Sequence, residues 1–254
     1  MGSRVNSGIT IKSERELDHM REAGRVVAET KSLLKNAVQS GLSTGALDSV
    51  AENYILKSDA KPSFKGYMGF PATICVSINE EIVHGIPSTK RILKNGDIVS
   101  IDVGAVVNGF HADSAFTIAV GEVPQSSIDL ITATKESLKI GISNARVNNR
   151  IGDVSSIIQQ YAENLGYGVV RQYVGHGIGR SLHEEPQVPN YGEPGRGHIL
   201  RAGMVLAIEP MLNMGGWETK QLKDGWTVVT ADNTLSAHFE DTVAILDSGP
   251  QVLT

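Results

Sequence analysis

Asp102 and Asp113 lie on two β-prone runs, Ile98 to Val107 and Phe110 to Val120, joined by Asn108-Gly109, a strong signal for a two-residue hairpin turn. Such a turn pairs Val107 with Phe110, and the same register carries Gly104 opposite Asp113. Paired residues project from one face, as do residues two apart on a strand, so the two carboxylates are diagonal neighbours with backbones ~7–8 Å apart. Two carboxylates gathered on a buried face repel, so one of them takes up a proton or a cation lies between them. The hairpin alone leaves two readings open, solvated aspartates on an exposed edge or ligands of a cation. Its flanks, Ile101, Val103, Ala112, Ala115 and Phe116, sit uncomfortably with exposure.

Four more groups raise the same question. Gly175-His176-Gly177-Ile178-Gly179 sets an imidazole among glycines, where the backbone bends tightly and a ligand can come close. His183 follows seven residues later, and the absence of a His-Glu-x-x-His pair excludes a zincin helix site. Glu209 ends the apolar run that starts at Met204 and is stopped by Pro210, and Glu240 interrupts the apolar stretch 235–246. A glutamate inside such a strand costs free energy unless a charge partner compensates it. Singly, each also reads as a salt-bridged or sheet-edge residue; together they are harder to read that way.

The elements that position these groups are legible from caps and periodicity. Ser13-Glu14-Arg15-Glu16 forms a capping box, followed by Leu17, Met20, Val27, Leu34 and Val38 at helical spacing up to about Gly41. Thr44 opens a second helix with Leu47, Val50, Ala51, Tyr54 and Ile55 on one face, and a Pro/Gly-rich loop runs from Lys61 to Pro71. The order then repeats. Ser126 or Ser127 caps a helix to about Val147, Asp153 leads another to about Leu165, and strand-like runs follow at 169–174, 203–212, 226–230 and 235–246. Helix, helix, strands appearing twice predicts an α/β (α+β) domain of two similar halves, roughly 13–121 and 122–254, sharing a curved and mainly antiparallel sheet. Residues 1–12 are polar and are expected to be a flexible segment ahead of that single domain.

Composition narrows the class. The 254 residues are 41% hydrophobic and 20% charged, which suits one sizeable globular unit, and no apolar run is long enough to cross a membrane. A net charge of −5 without a block of Lys or Arg argues against nucleic acid as the main ligand. A single cysteine, Cys75, allows no internal disulfide and fits a reducing cytoplasm.

The chain resembles a type I methionine aminopeptidase from about Ser13 to Leu246. The resemblance is carried by Asn79-Glu80-Glu81-Ile82-Val83-His84-Gly85-Ile86-Pro87, Asp102-Val103-Gly104, His111-Ala112-Asp113, Gly175 to Gly179, His183-Glu184-Glu185-Pro186, Ile208-Glu209-Pro210 and Phe239-Glu240-Asp241-Thr242. It implies the pita-bread fold, two pseudo-symmetric α/β halves with metals between them. It also implies two divalent ions, of Co, Mn, Fe(II) or Zn, held by Asp102, Asp113, His176, Glu209 and Glu240, with Asp113 and Glu240 bridging. Four carboxylates balance the charge of two such ions, and oxygen-rich ligands with one imidazole do not choose among these metals. A water bridging the ions would attack the scissile carbonyl. Glu209 would shuttle its proton, His183 would donate to the developing oxyanion, and His84 would contact the substrate near the scissile nitrogen.

For the methionine side chain the resemblance implies an apolar pocket of Phe64, Tyr67, Phe70, Cys75, Leu182 and Trp226. Phe64, Leu182 and Asp241 depart from the commoner family choices of Cys, Phe and His. A monovalent cation near Asn79, Glu81 and Ser236 is a further implication. His19, His111, His198 and His238 match no ligand position and are expected to be structural or surface residues. The implied role is removal of the initiator Met from nascent chains with a small second residue, by a monomer acting at the ribosome. Two rivals remain. A proline-specific peptidase shares the ligands but usually carries an extra N-terminal domain, for which little sequence is left before the hairpin. A non-catalytic pita-bread module would have replaced its ligands, and here all five are present.

Overall fold

The computed structural model describes residues 8–254. Helix α1 spans Glu14–Ala37 and begins in the predicted capping box, Glu16 accepting from the Ser13 amide at 3.0 Å. Helix α2 spans Thr44–Lys57, opening at Thr44 as expected, and is capped by Ser43, whose hydroxyl accepts from the Ala46 amide at 3.2 Å. Helix α3 covers Gln125–Asn144 with Pro124, rather than Ser126 or Ser127, at its N-cap. Proline's fixed φ lets it start the helix, while Ser127 is buried inside the first turn. Helix α4 covers Ile151–Asn164, and Asp153 caps it from within by accepting from the Arg150 amide at 2.7 Å.

The two halves echo each other in detail. Ser43, before α2, bridges to Ile92, and Arg150, before α4, bridges to Ile199 in the same antiparallel sense. The main sheet is nine-stranded with antiparallel pairings. It runs Lys61–Pro62, Ile98–Val107, Phe110–Ala119, Glu240–Leu246, Val205–Ile208, Gly175–Gly177, Glu184–Val188, with Ile74–Ile78 and Gly249–Val252 pairing from off this path. Strands of the two halves meet where Phe110–Ala119 pairs with Glu240–Leu246. Two three-stranded sheets flank it, one of Ser236–His238, Met211–Asn213 and Gly168–Val169, the other of Thr219–Gln221, Val228–Thr230 and Glu81–Val83.

Two strand runs expected to be continuous are broken. Pro210, which has no amide hydrogen, divides 203–212 into Val205–Ile208 in the main sheet and Met211–Asn213 in a small one. The 235–246 run divides at Phe239 between the same two sheets, and the Phe239 amide donates to the Pro210 carbonyl at 3.2 Å. The run at 169–174 pairs only at Gly168–Val169. Residues 1–7, within the expected flexible segment, lie outside the described residues. Packing starts earlier than Ser13, however: Ile9 is buried and Lys12 is tied to Glu184 at 2.9 Å.

The apolar core lies between the helices and the sheet, with Val27, Leu34, Leu47, Ile55, Ile74, Ile101 and Phe116 in one cluster that continues into the second half through Leu138, Ile158 and Ile208. Each such buried side chain contributes about 1.5–3 kcal/mol. This helix-backed layer fixes the sheet whose other face carries the polar site.

Candidate metal centre

The hairpin adopts the expected register without a slip: Val107 pairs with Phe110, Gly104 with Asp113 and Asp102 with Ala115. Ala115 in turn pairs with Glu240, so Asp102, Ala115 and Glu240 form one row across three strands. A second row runs from Thr242 through Ala207 to His176, and the Thr242 hydroxyl lies 3.0 Å from Asp113 Oδ1. The residues between the functional groups are small. Alanine and threonine leave open space above the sheet, and the larger side chains around them point into it.

That space is a cavity of about 180 Å³, lined by Asp102, Asp113, His176, Glu209 and Glu240, by His84 and His183, and by Phe64, Tyr67, Phe70, Cys75, Leu182 and Trp226. The structure thus brings together every residue proposed from sequence for ligation, chemistry and substrate binding. It adds Met68, a largely exposed residue in the loop after Phe64, which no sequence pattern marked. His84 holds a left-handed backbone, φ 61°, strain of order 1 kcal/mol or more at a residue facing the cavity. Phe70 meets Trp226 edge to face at 5.0 Å, and Cys75 pairs with Asp102 across adjacent strands. Burial and nearby carboxylates push the Cys75 thiol up, so it is a neutral, soft wall group.

The charges in this cavity are out of balance. Burial first, and mutual repulsion second, hold Asp102, Glu209 and Glu240 well above the usual carboxylate range. Burial also pushes Asp113 up to about 6. Asp102 Oδ1 is buried without a hydrogen-bond partner among the described residues. The geometry of His176 is more specific. Its Nδ1 donates to the Gly177 carbonyl at 2.9 Å, which leaves Nε2 unprotonated in the neutral ring, and burial holds the ring neutral, with a pKa of about 4. That bare nitrogen faces Asp113 at 3.6 Å and Glu209 at 3.7 Å. A lone pair aimed at two carboxylates is unfavourable until a cation sits among them. Ligand atoms of Asp113, His176 and Glu240 lie within 4.8 Å of one another, a spacing that suits a shared ion.

His183 lies against His176, ring centroids 4.3 Å apart, and its Nδ1 is 2.6 Å from the Tyr67 hydroxyl. When Nδ1 accepts that hydroxyl's hydrogen bond, Nε2–H is left free to donate. His238, expected to be structural or on the surface, is buried, its Nε2 without a hydrogen-bond partner among the described residues and 3.8 Å from Glu209. Nothing in the sequence marked it, since it sits in an apolar run two residues before Glu240. Asp241, the departure from the family pattern, faces the opposite side of the sheet and binds Lys31 of α1 at 3.0 Å.

Two halves of one antiparallel sheet, closing on four carboxylates and an oriented imidazole, define a metallopeptidase of the pita-bread class. Residues 18–247 match metallopeptidase family M24. A methionine aminopeptidase of Clostridium acetobutylicum is 54% identical over 246 residues, covering 97% of this chain and 98% of that protein. The crystal structure of the methionine aminopeptidase of Thermotoga maritima superposes with a TM-score of 0.96 at 44% identity, covering 97% of this chain and 99% of that one. The prolidase of Pyrococcus furiosus shares the fold, with a TM-score of 0.79 at 24% identity, but this chain covers only 65% of it. The chain belongs to family M24 and, within it, to the methionine aminopeptidases, metal-dependent hydrolases.

Proposed function

We propose that the protein removes the initiator Met from nascent chains whose second residue is small, with two divalent ions held by Asp102, Asp113, His176, Glu209 and Glu240. Asp113 and Glu240 would serve as the shared ligands, with Asp102 on one side of them and His176 and Glu209 on the other. The observation that carries this reading is the bare Nε2 of His176 aimed at Asp113 and Glu209 inside a cavity walled by Phe64, Phe70, Cys75 and Trp226. Bound Mn, Fe(II), Co or Zn would supply Lewis acidity and lower the pKa of a water.

The protein's own groups do the rest. Glu209, on the cavity wall, accepts a proton from the attacking water and passes it to the leaving nitrogen. His183, with Nδ1 held by Tyr67, donates from Nε2 to the carbonyl oxygen as charge develops. His84, neutral with a pKa of about 4 through burial, contacts the scissile amide. A free α-amine meets the Asp102 side, which limits cleavage to the first residue. A monovalent cation near Asn79, Glu81 and Ser236 is supported by the closeness of two of them, the Ser236 amide donating to the Asn79 carbonyl at 2.9 Å. A nascent substrate supports action in the cytoplasm, at the ribosome, and the same proposal takes the protein to act as a monomer. Among the described residues no helix is long and apolar enough to cross a membrane.

Specificity tests this reading. An apolar pocket separates side chains one methylene apart by only ~1–3 kcal/mol, so norleucine should be a fair substitute for Met. The second residue should be selected by size. Met-Gly, Met-Ala and Met-Ser peptides should be cleaved, with Met-Leu, Met-Lys and Met-Glu at least ~100-fold poorer in kcat/KM, and formylation of the α-amine should abolish cleavage. Equal rates for Met-Ala and Met-Leu would refute the initiator-Met role, and preference for Ala-Pro would favour the proline-specific rival.

A further inference from the structure

His183 faces two cavities. One is the metal-site cavity of about 180 Å³; the other, about 590 Å³, is lined by Thr10, Lys12, Glu16, Phe110, Arg180 and Glu184 together with His183. The first lies below the ~300–1,000 Å³ of an ordinary ligand site and the second falls within it. A peptide whose first side chain fills the small cavity must send its remaining residues elsewhere, and the larger space adjoins at the histidine that faces the scissile carbonyl.

The walls of this second cavity are fixed by bonds that the metal site does not require. Lys12, only 7% exposed, binds Glu184 at 2.9 Å, and the Thr10 hydroxyl also donates to Glu184. Burying a lysine and a glutamate together is costly unless further hydrogen bonds satisfy both, and here Thr10 bonds to each of them; Glu184 adjoins His183. Glu16 is held by the Ser13 amide at 3.0 Å. Arg180 differs from all of these. Its side chain is 64% exposed, it makes one 3.3 Å bond to Glu16, and its guanidinium lies 4.3 Å over the Phe110 ring. Stacking fixes the plane of the fork, and among the described residues most of its five donors have no partner.

We propose that this cavity binds the main chain of the substrate residues beyond the second, with Arg180 donating hydrogen bonds to their carbonyl oxygens. The inference rests on the aminopeptidase reading above. The charges of the lining favour main chain over a charged side chain. Lys12 and Arg180 are offset by Glu16, Glu184 and Glu185, so no strong field of either sign remains. A guanidinium has donors and no acceptor, which matches peptide carbonyls and is indifferent to sequence. Such indifference suits an enzyme that meets many different chains.

The test is a length series, Met-Ala, Met-Ala-Ser, Met-Ala-Ser-Ser and Met-Ala-Ser-Ser-Ser, all C-terminal amides, with metal-saturated enzyme. In the wild type kcat/KM should rise at least ~10-fold from the dipeptide to the tetrapeptide, mostly through KM, the scale of a hydrogen bond to a charged donor. Arg180→Ala should lose most of that gain, and Arg180→Lys, which lacks the planar fork, should recover part of it. Unchanged metal content and Tm in both variants would confirm that the effect is local. A flat length series in wild type, or an Arg180→Ala series as steep as wild type, overturns the subsite while leaving the aminopeptidase reading intact. No cleavage of any Met-Ala peptide overturns both.

Discussion

The two halves of the molecule supply their metal-site groups by different means. In the first half Asp102 and Asp113 ride on one hairpin whose ten pairs, from Ile98 with Ala119 to Val107 with Phe110, run without interruption. A two-residue turn and strand periodicity suffice to aim both carboxylates. In the second half each group stands at a break. His176 is at a register shift in Gly175–Gly177, Glu209 is in the gap that Pro210 makes, and Glu240 opens its strand just after Phe239. Local pairing sets the first half's geometry, and the crossing of strands between sheets sets the second's. The first kind tolerates change around it. The second depends on distant backbone keeping its place.

The largest effect should come from removing a shared ligand from either half. Asp113→Ala and Glu240→Ala are each expected to abolish turnover and to lose both ions, with far-UV CD preserved. Asp113 is 3% exposed and Glu240 is 3% exposed, yet among the described residues neither makes an ion pair with a lysine or arginine whose loss would unfold the chain. Elemental analysis finding two tightly held ions in either variant would mean that the halves do not share a centre.

Glycines separate the two kinds of construction. A Cβ on Gly177 would lie 2.2 Å from the Glu185 carbonyl oxygen, a backbone atom that can move only with its strand. A Cβ on Gly104, opposite Asp113 on the hairpin, would meet the Phe64 ring at 2.8 Å and the Ser63 Cβ at 2.9 Å. Gly177→Ala should therefore displace His176 and weaken metal binding ~10–100-fold, as loss of a ligand's support does. Gly104→Ala should keep the metals and alter the methionine pocket, changing KM a few-fold. Calorimetric metal titration beside steady-state kinetics distinguishes them. Equal loss of metal affinity in both would erase the proposed difference between the halves.

The same difference decides what could be read from sequence. The hairpin register was legible because a turn dipeptide and strict alternation act over a few residues. The capping box of α1 was legible for the same reason. Nothing local says that the run ending at Glu209 passes from one sheet to another, since Pro210 announces a stop but not a destination. The histidines show the limit best. His176 stood out among glycines, whereas His238 lies in an ordinary apolar run, and only the fold brings it to 3.8 Å from Glu209. The pocket residues Phe64, Tyr67, Leu182 and Trp226 came from resemblance alone, because an aromatic in a loop looks like core until the fold gathers it.

The smallest effect, and the one that reads both halves at once, is the pH dependence of the metal-free protein. Folded Asp102, Glu209 and Glu240 are held well above the usual range, and Asp113 at about 6, by burial and repulsion. The unfolded chain releases these protons near pH 4, so the stability they contribute is full below that and is lost as pH rises through the folded values. The buried imidazoles act the other way. His84, His176 and His183 sit at about 4 and His238 at about 3 through burial, so their contribution is present above about pH 6.5 and is lost as pH falls toward 4. The two trends oppose each other between pH 4 and 6.5, and above 6.5 only the carboxylates matter. Stability of the metal-free protein should then fall by up to about 1.4 kcal/mol per pH unit for each carboxyl still protonated when folded. Excess divalent ion should reverse the slope, because metal binding strengthens as the ligands lose protons. Asp102→Asn, in the first half, should make the alkaline decline shallower, and His176→Gln, in the second, should leave it while reducing the acid loss. Denaturant melts of the metal-free protein from pH 4 to 9 measure both limbs. A flat alkaline limb would mean that the four carboxylates do not share one buried site.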